Sequence, residues 1–207
     1  MARIATCFLC SFLLAIPLLG DEEPARELSP RDASWAQPIA IDGVPNLHQV
    51  SEVLYRSAQP TAAGVKNLQG LGIKTVINLR SFHSDRKALA GLGLRYEHLT
   101  MKAWHPEEKE LARFLKIVMD PESQPVLVHC QHGADRTGTI CAIYRMAVQG
   151  WTKEQALREM TAGGYGFHGV WENLKNYLED LDIQRLRRAA TIPDPASNPG
   201  EATGADD

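Results

Sequence analysis

Apolar residues return along this chain in short bursts of two kinds. Ile73-Lys74-Thr75-Val76-Ile77-Asn78-Leu79, Leu94 to Leu99 and Val126-Leu127-Val128 are brief and rich in β-branched or apolar residues. Gly or Pro precedes each, so they predict buried strands, and Val53-Leu54-Tyr55-Arg56 adds another. Between them the apolar positions fall on one face of a helix. Thr61 predicts a cap for a helix reaching Leu71, and Ser84 to Ala90 a short one. Pro106 opens a helix to Met119 with Leu111, Phe114, Leu115 and Val118 on one side. Arg136 to Val148, a segment capped by Thr152, and an amphipathic run from Val170 to Arg188 follow. The alternation predicts a single α/β domain, a central and mostly parallel sheet flanked by helices.

The two ends break the pattern. Arg3 precedes a nearly unbroken apolar run from Ile4 to Leu19, then Gly20 and the acids Asp21-Glu22-Glu23. This order describes a signal peptide over 1–20 and predicts export, to the periplasm or the medium. Left uncut, the run would be a membrane anchor; once cut, no span remains. Proline-rich residues 21–38 read as a linker, 39–188 as the single folded domain, and 189–207 as a disordered tail. The net charge of −3 excludes bulk nucleic-acid binding. Of four cysteines, Cys7 and Cys10 lie in the leader. Cys130 and Cys141 do not make a disulfide framework, and Cys141 sits inside an apolar helix as a core residue.

The chemistry concentrates in Val128-His129-Cys130-Gln131-His132-Gly133-Ala134-Asp135-Arg136-Thr137-Gly138. Strand, tight loop and helix follow in that order, and ligands bind beyond the carboxyl ends of such strands. Gly133 lets the backbone curl. The N–H groups of Gln131, His132, Gly133 and Ala134 can then converge on an anion, with the helix N-terminus behind them. Arg136 would grip two phosphate oxygens with its planar fork. Cys130 lies beneath the anion as a nucleophile, and the positive surroundings favour its thiolate. Thr137 offers a hydroxyl to the sulfur, and His129 can orient the loop. A metal site over His129, Cys130 and His132 lacks a second ligand cluster in the sequence.

This stretch resembles the His-Cys-x5-Arg-Thr signature of the cysteine-dependent protein tyrosine and dual-specificity phosphatases. Tyr55-Arg56-Ser57-Ala58-Gln59-Pro60 and Val76-Ile77-Asn78-Leu79-Arg80-Ser81 are similar to two upstream landmarks of small bacterial members. The resemblance implies a dual-specificity-phosphatase-like fold, a phosphocysteine intermediate on Cys130, and no metal or cofactor. The partner it implies is a phosphorylated protein or a small phosphoester.

Many relatives carry an acid on a loop that corresponds here to Leu99-Thr100-Met101-Lys102-Ala103-Trp104-His105-Pro106-Glu107-Glu108, which holds no aspartate. Asp135 is the expected acid, by resemblance to phosphatases with Asp before the signature Arg; His105, Glu107 and Glu108 are the alternatives. The loop has no lysine at Gln131, His132 or Ala134, which points to phosphotyrosine, with phosphoserine and phosphothreonine as further targets. Asp135 points the other way, to phosphoinositides or other small phosphoesters. A phosphate-binding module without turnover is the reading from another class. Arg56 and Arg80 are expected in salt bridges or at the pocket mouth, Trp104 as a cap, and His168 as a structural residue.

Overall fold

The computed structural model describes residues 31–102 and 105–193. The predicted leader, residues 21–30 of the predicted linker, Trp104 and the tail beyond 193 lie outside the described residues. Six strands form one sheet in the order β1-β2-β3-β6-β4-β5. The parallel part is β3 (Leu54–Ser57), β6 (Val126–His129), β4 (Thr75–Asn78) and β5 (Arg95–His98). Two short antiparallel strands, β1 (Gln37–Pro38) and β2 (His48–Gln49), extend one edge. They are only two residues long, too short for any periodicity to reveal them.

Alternation along the strands builds two cores. Leu54, Ile77, Val126 and Val128 face one layer of helices; Tyr55, Val76 and Leu127 face the other. On the smaller side pack α1 (Ala62–Asn67), a following 3-10 turn, and α2 (Arg86–Leu89). Thr61 Oγ1 caps α1 by accepting from the Gly64 amide. On the larger side lie α3 (Glu108–Met119), α4 (Asp135–Ala147), α5 (Lys153–Ala162), α6 (Glu172–Asp180) and α7 (Ile183–Ala190). Thr152 and Gln155 form a reciprocal capping box at the start of α5, which satisfies two otherwise orphan amides. The amphipathic run from Val170 to Arg188 is divided between α6 and α7, because Leu181 takes an extended conformation between them.

Helix α4 is the pillar of the domain. Every residue from Asp135 to Ala147 except Arg136 is buried, as expected of a helix surrounded by other elements. Cys141 belongs to this core, and burial pushes its thiol up to about 11, so it stays protonated and inert.

Residues 31–38 are part of the fold, not linker. The Arg31 guanidinium donates to the carbonyls of Ala36 and Gly163 and to the Tyr165 hydroxyl. The Ala36 amide donates to Glu159 at 2.7 Å. Glu159 in turn holds Arg145 of α4 through two bonds of 2.7 and 2.8 Å. Proline content is a poor guide here because a polar anchor, not apolar periodicity, ties the segment down. At the other end α7 runs to the buried Ala190, one residue past the expected start of the tail.

Among the described residues no helix is long and apolar enough to cross a membrane.

Burial alone would raise the Glu159 carboxyl, but the hydrogen bonds and charge of Arg145 outweigh it and hold the group below its ordinary value of 4.5. A depressed carboxyl stabilises the fold above its unfolded-state pKa, and that contribution is lost as pH falls through the folded one. Glu159→Gln leaves Arg145 buried and uncompensated. It should cost roughly 3–5 kcal/mol at neutral pH and flatten the acid limb of stability, read by urea unfolding at pH 7 and at pH 4.

Candidate active site

Cys130 stands at the carboxyl end of β6, the central strand of the parallel part, and is almost fully buried. From Cys130 to Ala134 the chain curls before α4 begins. What sets the curl is the fate of its carbonyls. That of Cys130 faces His129 Nδ1 at 3.2 Å, and that of Gln131 accepts from the Gln59 amide at 3.1 Å. His132 O accepts from Asn46 Nδ2 at 2.9 Å, Gly133 O from Arg56 Nη2 at 2.8 Å, and Ala134 O from the Gly138 amide at 2.7 Å. The oxygens of Gln131 to Ala134 are thus engaged away from the ring, and that of Cys130 faces the buried His129 side chain. The amides of 131–134 donate to no other described residue. A peptide unit is planar, so its N–H points opposite its C=O. Turning the carbonyls outward leaves the amides converging inward, as an anion nest requires.

Gly133 makes the curl possible. It sits at φ +71°, and a Cβ there would lie 2.5 Å from the backbone of Ser57 and Ala58. Gly138, one turn into α4, lies against Met160 and Arg56. Beneath the loop Arg56 is fully buried and stacks on the Tyr165 ring at 3.6 Å. Arg56 is therefore the brace of the loop and not part of the pocket mouth. Burial and the nearby Glu159 charge push the Tyr165 hydroxyl well above its ordinary value, so the ring under Arg56 remains a neutral phenol.

His129 is fully buried, and its Nε2 lies 2.8 Å from the Asp85 carboxylate. The carboxylate fixes a proton on that nitrogen and orients the ring toward the Cys130 carbonyl. Burial would raise the Asp85 carboxyl; hydrogen bonding and charge from His129, with further bonds from Gln59, overcome this and lower it. Gln59 links the same carboxylate to Arg80, whose Nη1 donates to Gln59 Oε1 at 3.0 Å. Asp85 and Asn46 did not emerge from the sequence, and Gln59 did so only as part of a landmark, without these contacts. They lie 44 or more residues from the loop atoms they hold, and no local pattern marks those pairings.

In front of Arg136 lies a cavity of about 280 Å3. Arg136, Gln131, Arg80 and Lys102 give it a polar wall, and Phe82, Met101 and Trp171 an apolar one. Phe82 is wholly exposed. Trp171 was not singled out in the sequence; Trp104, which was, lies outside the described residues. Thr137 Oγ1 is buried with no hydrogen-bond partner, beneath the same loop.

The four acid candidates have different partners, and none of them lines the cavity. Glu108 pairs with Arg185 at 2.8 Å and Glu107 with Lys109 at 3.3 Å, and neither lines the cavity. His105 is exposed, its amide bonded to the Lys102 carbonyl. Asp135 opens α4 directly after the loop, and His168 binds both its oxygens. The His168 amide donates to Oδ1 at 2.9 Å, and Nδ1 lies 2.9 Å from Oδ2. His168, expected to be structural, is thus a direct partner of an expected catalytic residue.

Residues 41–170 match the family described as "DSP-PTPase phosphatase fused to NAD+ Kinase". The dual specificity protein phosphatase TpbA of Pseudomonas aeruginosa strain UCBPP-PA14 is 39% identical over 180 residues, 86% of this chain and 79% of TpbA. The crystal structure of P. aeruginosa TpbA, with a cysteine changed to serine and in complex with pTyr, superposes with a TM-score of 0.69. It is 37% identical and covers 79% of this chain and 99% of that one. The Siw14 catalytic core shares the fold at a TM-score of 0.62 and 21% identity, covering 74% of this chain and 95% of its own. An Arabidopsis thaliana inositol diphosphatase, DSP5, is 27% identical over 154 residues, 70% of this chain and 73% of its own.

Gly133→Ala tests the curl directly. The added methyl clashes with backbone on a neighbouring strand, so the loop must open. Vanadate affinity should fall by roughly a hundredfold, given a loss of about 3 kcal/mol for each steric displacement of this kind. Vanadate affinity unchanged in the folded variant would show that the ring of amides is not what holds the anion.

Proposed function

This chain belongs to the cysteine-dependent dual-specificity phosphatase family, and from that premise we propose which residues act and on what. The protein hydrolyses phosphate monoesters. In our reading the Cys130 thiolate attacks phosphorus, and the bond from phosphorus to the leaving oxygen breaks as the sulfur–phosphorus bond forms. Asp135 gives the leaving oxygen its proton. Asp135, now a carboxylate, then takes a proton from water. The water oxygen attacks the phosphocysteine, the sulfur–phosphorus bond breaks, and phosphate and thiolate are released.

The loop amides of Gln131, His132, Gly133 and Ala134, together with Arg136, hold the three equatorial oxygens through both steps. The Thr137 hydroxyl, buried without a partner, is free to donate to the departing sulfur. The observation that carries the reading is the set of four outward carbonyls from Gln131 to Ala134, which supports an inward nest beside Cys130.

Phosphotyrosine in proteins is the substrate we favour. The apolar wall of Phe82, Met101 and Trp171 suits an aromatic ring between surface and loop. The likeness to a TpbA complex with pTyr supports the same choice. A second reading rests on the cavity's cations: Arg80 and Lys102 beside Arg136 suit a small, multiply phosphorylated ester such as a phosphoinositide. The apolar leader over Ile4 to Leu19 supports action outside the cytoplasm.

Cys130→Ser should reduce turnover of an aryl phosphate to background while vanadate or phosphate still binds. Asp135→Asn should slow phosphoserine peptides by roughly 10²–10³ and an activated aryl phosphate by far less, since a good leaving group needs little protonation. Equal losses on both would remove Asp135 as the acid, and a selective loss in His105→Ala would transfer the role. A steady-state panel of phosphotyrosine peptides, phosphoserine peptides and phosphoinositides decides the substrate. Faster kcat/KM on the inositides would favour the second reading.

A further inference from the structure

His132, Asp135 and His168 meet on the rim of the phosphate loop, one donor atom from each lying within 4.8 Å of the others. They do not line the cavity in front of Arg136. The two imidazoles face each other with ring centres 5.4 Å apart and planes tilted by 58°. Asp135 is mostly buried, whereas both histidines are open to solvent. The His132 ring makes no hydrogen bond to a described residue, so its nitrogens are uncommitted.

The backbone beneath is fixed. Asn46 Nδ2 donates to the carbonyls of both His132 and Tyr165, at 2.9 and 3.0 Å, tying the phosphate loop to the segment that carries His168. Gly164 and Gly166, at φ +77° and +82°, turn that segment back over Asp135. The His168 amide then anchors the carboxylate.

We propose that these three side chains form a binding site for a divalent transition ion of the Zn2+ class, distinct from the phosphate nest. Two imidazole nitrogens and one carboxylate oxygen are a recurrent ligand set for zinc, with a fourth tetrahedral position left for water. Bonds of about 2.0–2.1 Å set the donors roughly 3.3 Å apart. His168 and Asp135 are already near that spacing, and rotation of the exposed His132 ring closes the remainder. The carboxylate offsets part of the ion's charge, and the neighbouring Arg136 is directed to the other side, into the cavity.

The site has a consequence for turnover that rests on reading Asp135 as the acid. A carboxylate committed to a metal cannot deliver a proton, so the loaded protein would lose activity on poor leaving groups and retain it on activated aryl phosphates.

The test is titration of the purified protein with Co2+ or Zn2+ alone, followed by calorimetry and, for Co2+, by the visible absorption of a tetrahedral centre. A single ion should bind. His132→Ala and His168→Ala should each weaken it by roughly tenfold or more, while His105→Ala and Cys130→Ser leave it in place. His132→Ala is the decisive variant, because its exposed ring supports nothing else in the fold. Unchanged affinity in His132→Ala, or binding lost only in Cys130→Ser, would overturn the site and place the ion on the sulfur. Kinetics with Zn2+ present separate the two readings. Binding that depends on His132 with no selective loss on poor leaving groups keeps the site and rejects Asp135 as the acid.

Discussion

Four consecutive carbonyl oxygens, Gln131 to Ala134, are each held away from the ring they belong to. The rest of the site follows from that constraint. A free loop would let its peptide units rotate, and half of them would offer oxygen to an incoming phosphate. Here the donors come from Gln59, Asn46, Arg56 and the first turn of α4, so a single peptide cannot flip without breaking a hydrogen bond. The cost of ordering the loop is met during folding and not at each binding event. Of these donors Arg56 carries a full charge in a fully buried place, and hydrogen bonds to charged groups are the stronger ones.

The same contrast of surroundings separates the two thiols. Cys130 follows the end of a strand, at the foot of a loop whose amides 131–134 donate to no other described residue. Cys141 lies two turns into α4 among Ile140, Ala142 and Ile143, where burial holds it as a thiol. They are eleven positions apart in sequence and share one chemical identity. Their difference comes wholly from what surrounds each sulfur.

The sequence made the contiguous part of the site readable. A β-branched strand, a Gly-punctuated turn and an apolar helix follow without interruption from Val126 to Ala147, so local patterns sufficed for the order of elements and for the places of Cys130, Gly133 and Arg136 in it. The α/β alternation was readable for the same reason. Asp85, Asn46 and Tyr165 were not, because each acts on the loop from a distant segment and its own neighbourhood carries no period. Arg56 was visible as a residue but not as a brace. An arginine at a strand end is usually solvated, and only the Tyr165 ring beneath it and the Gly133 carbonyl above it make burial tolerable. The strip from Arg31 to Pro38 was misread because proline content tracks the lack of helix, not the lack of anchorage.

That strip bears on the history of the polypeptide. Arg31 and Ala36 reach Gly163, Tyr165 and Glu159, and Tyr165 lies directly under Arg56. The back wall of the phosphate loop is thus assembled partly from the front of the chain. A protease that trims the polypeptide past Arg31 would therefore take the loop's foundation with it.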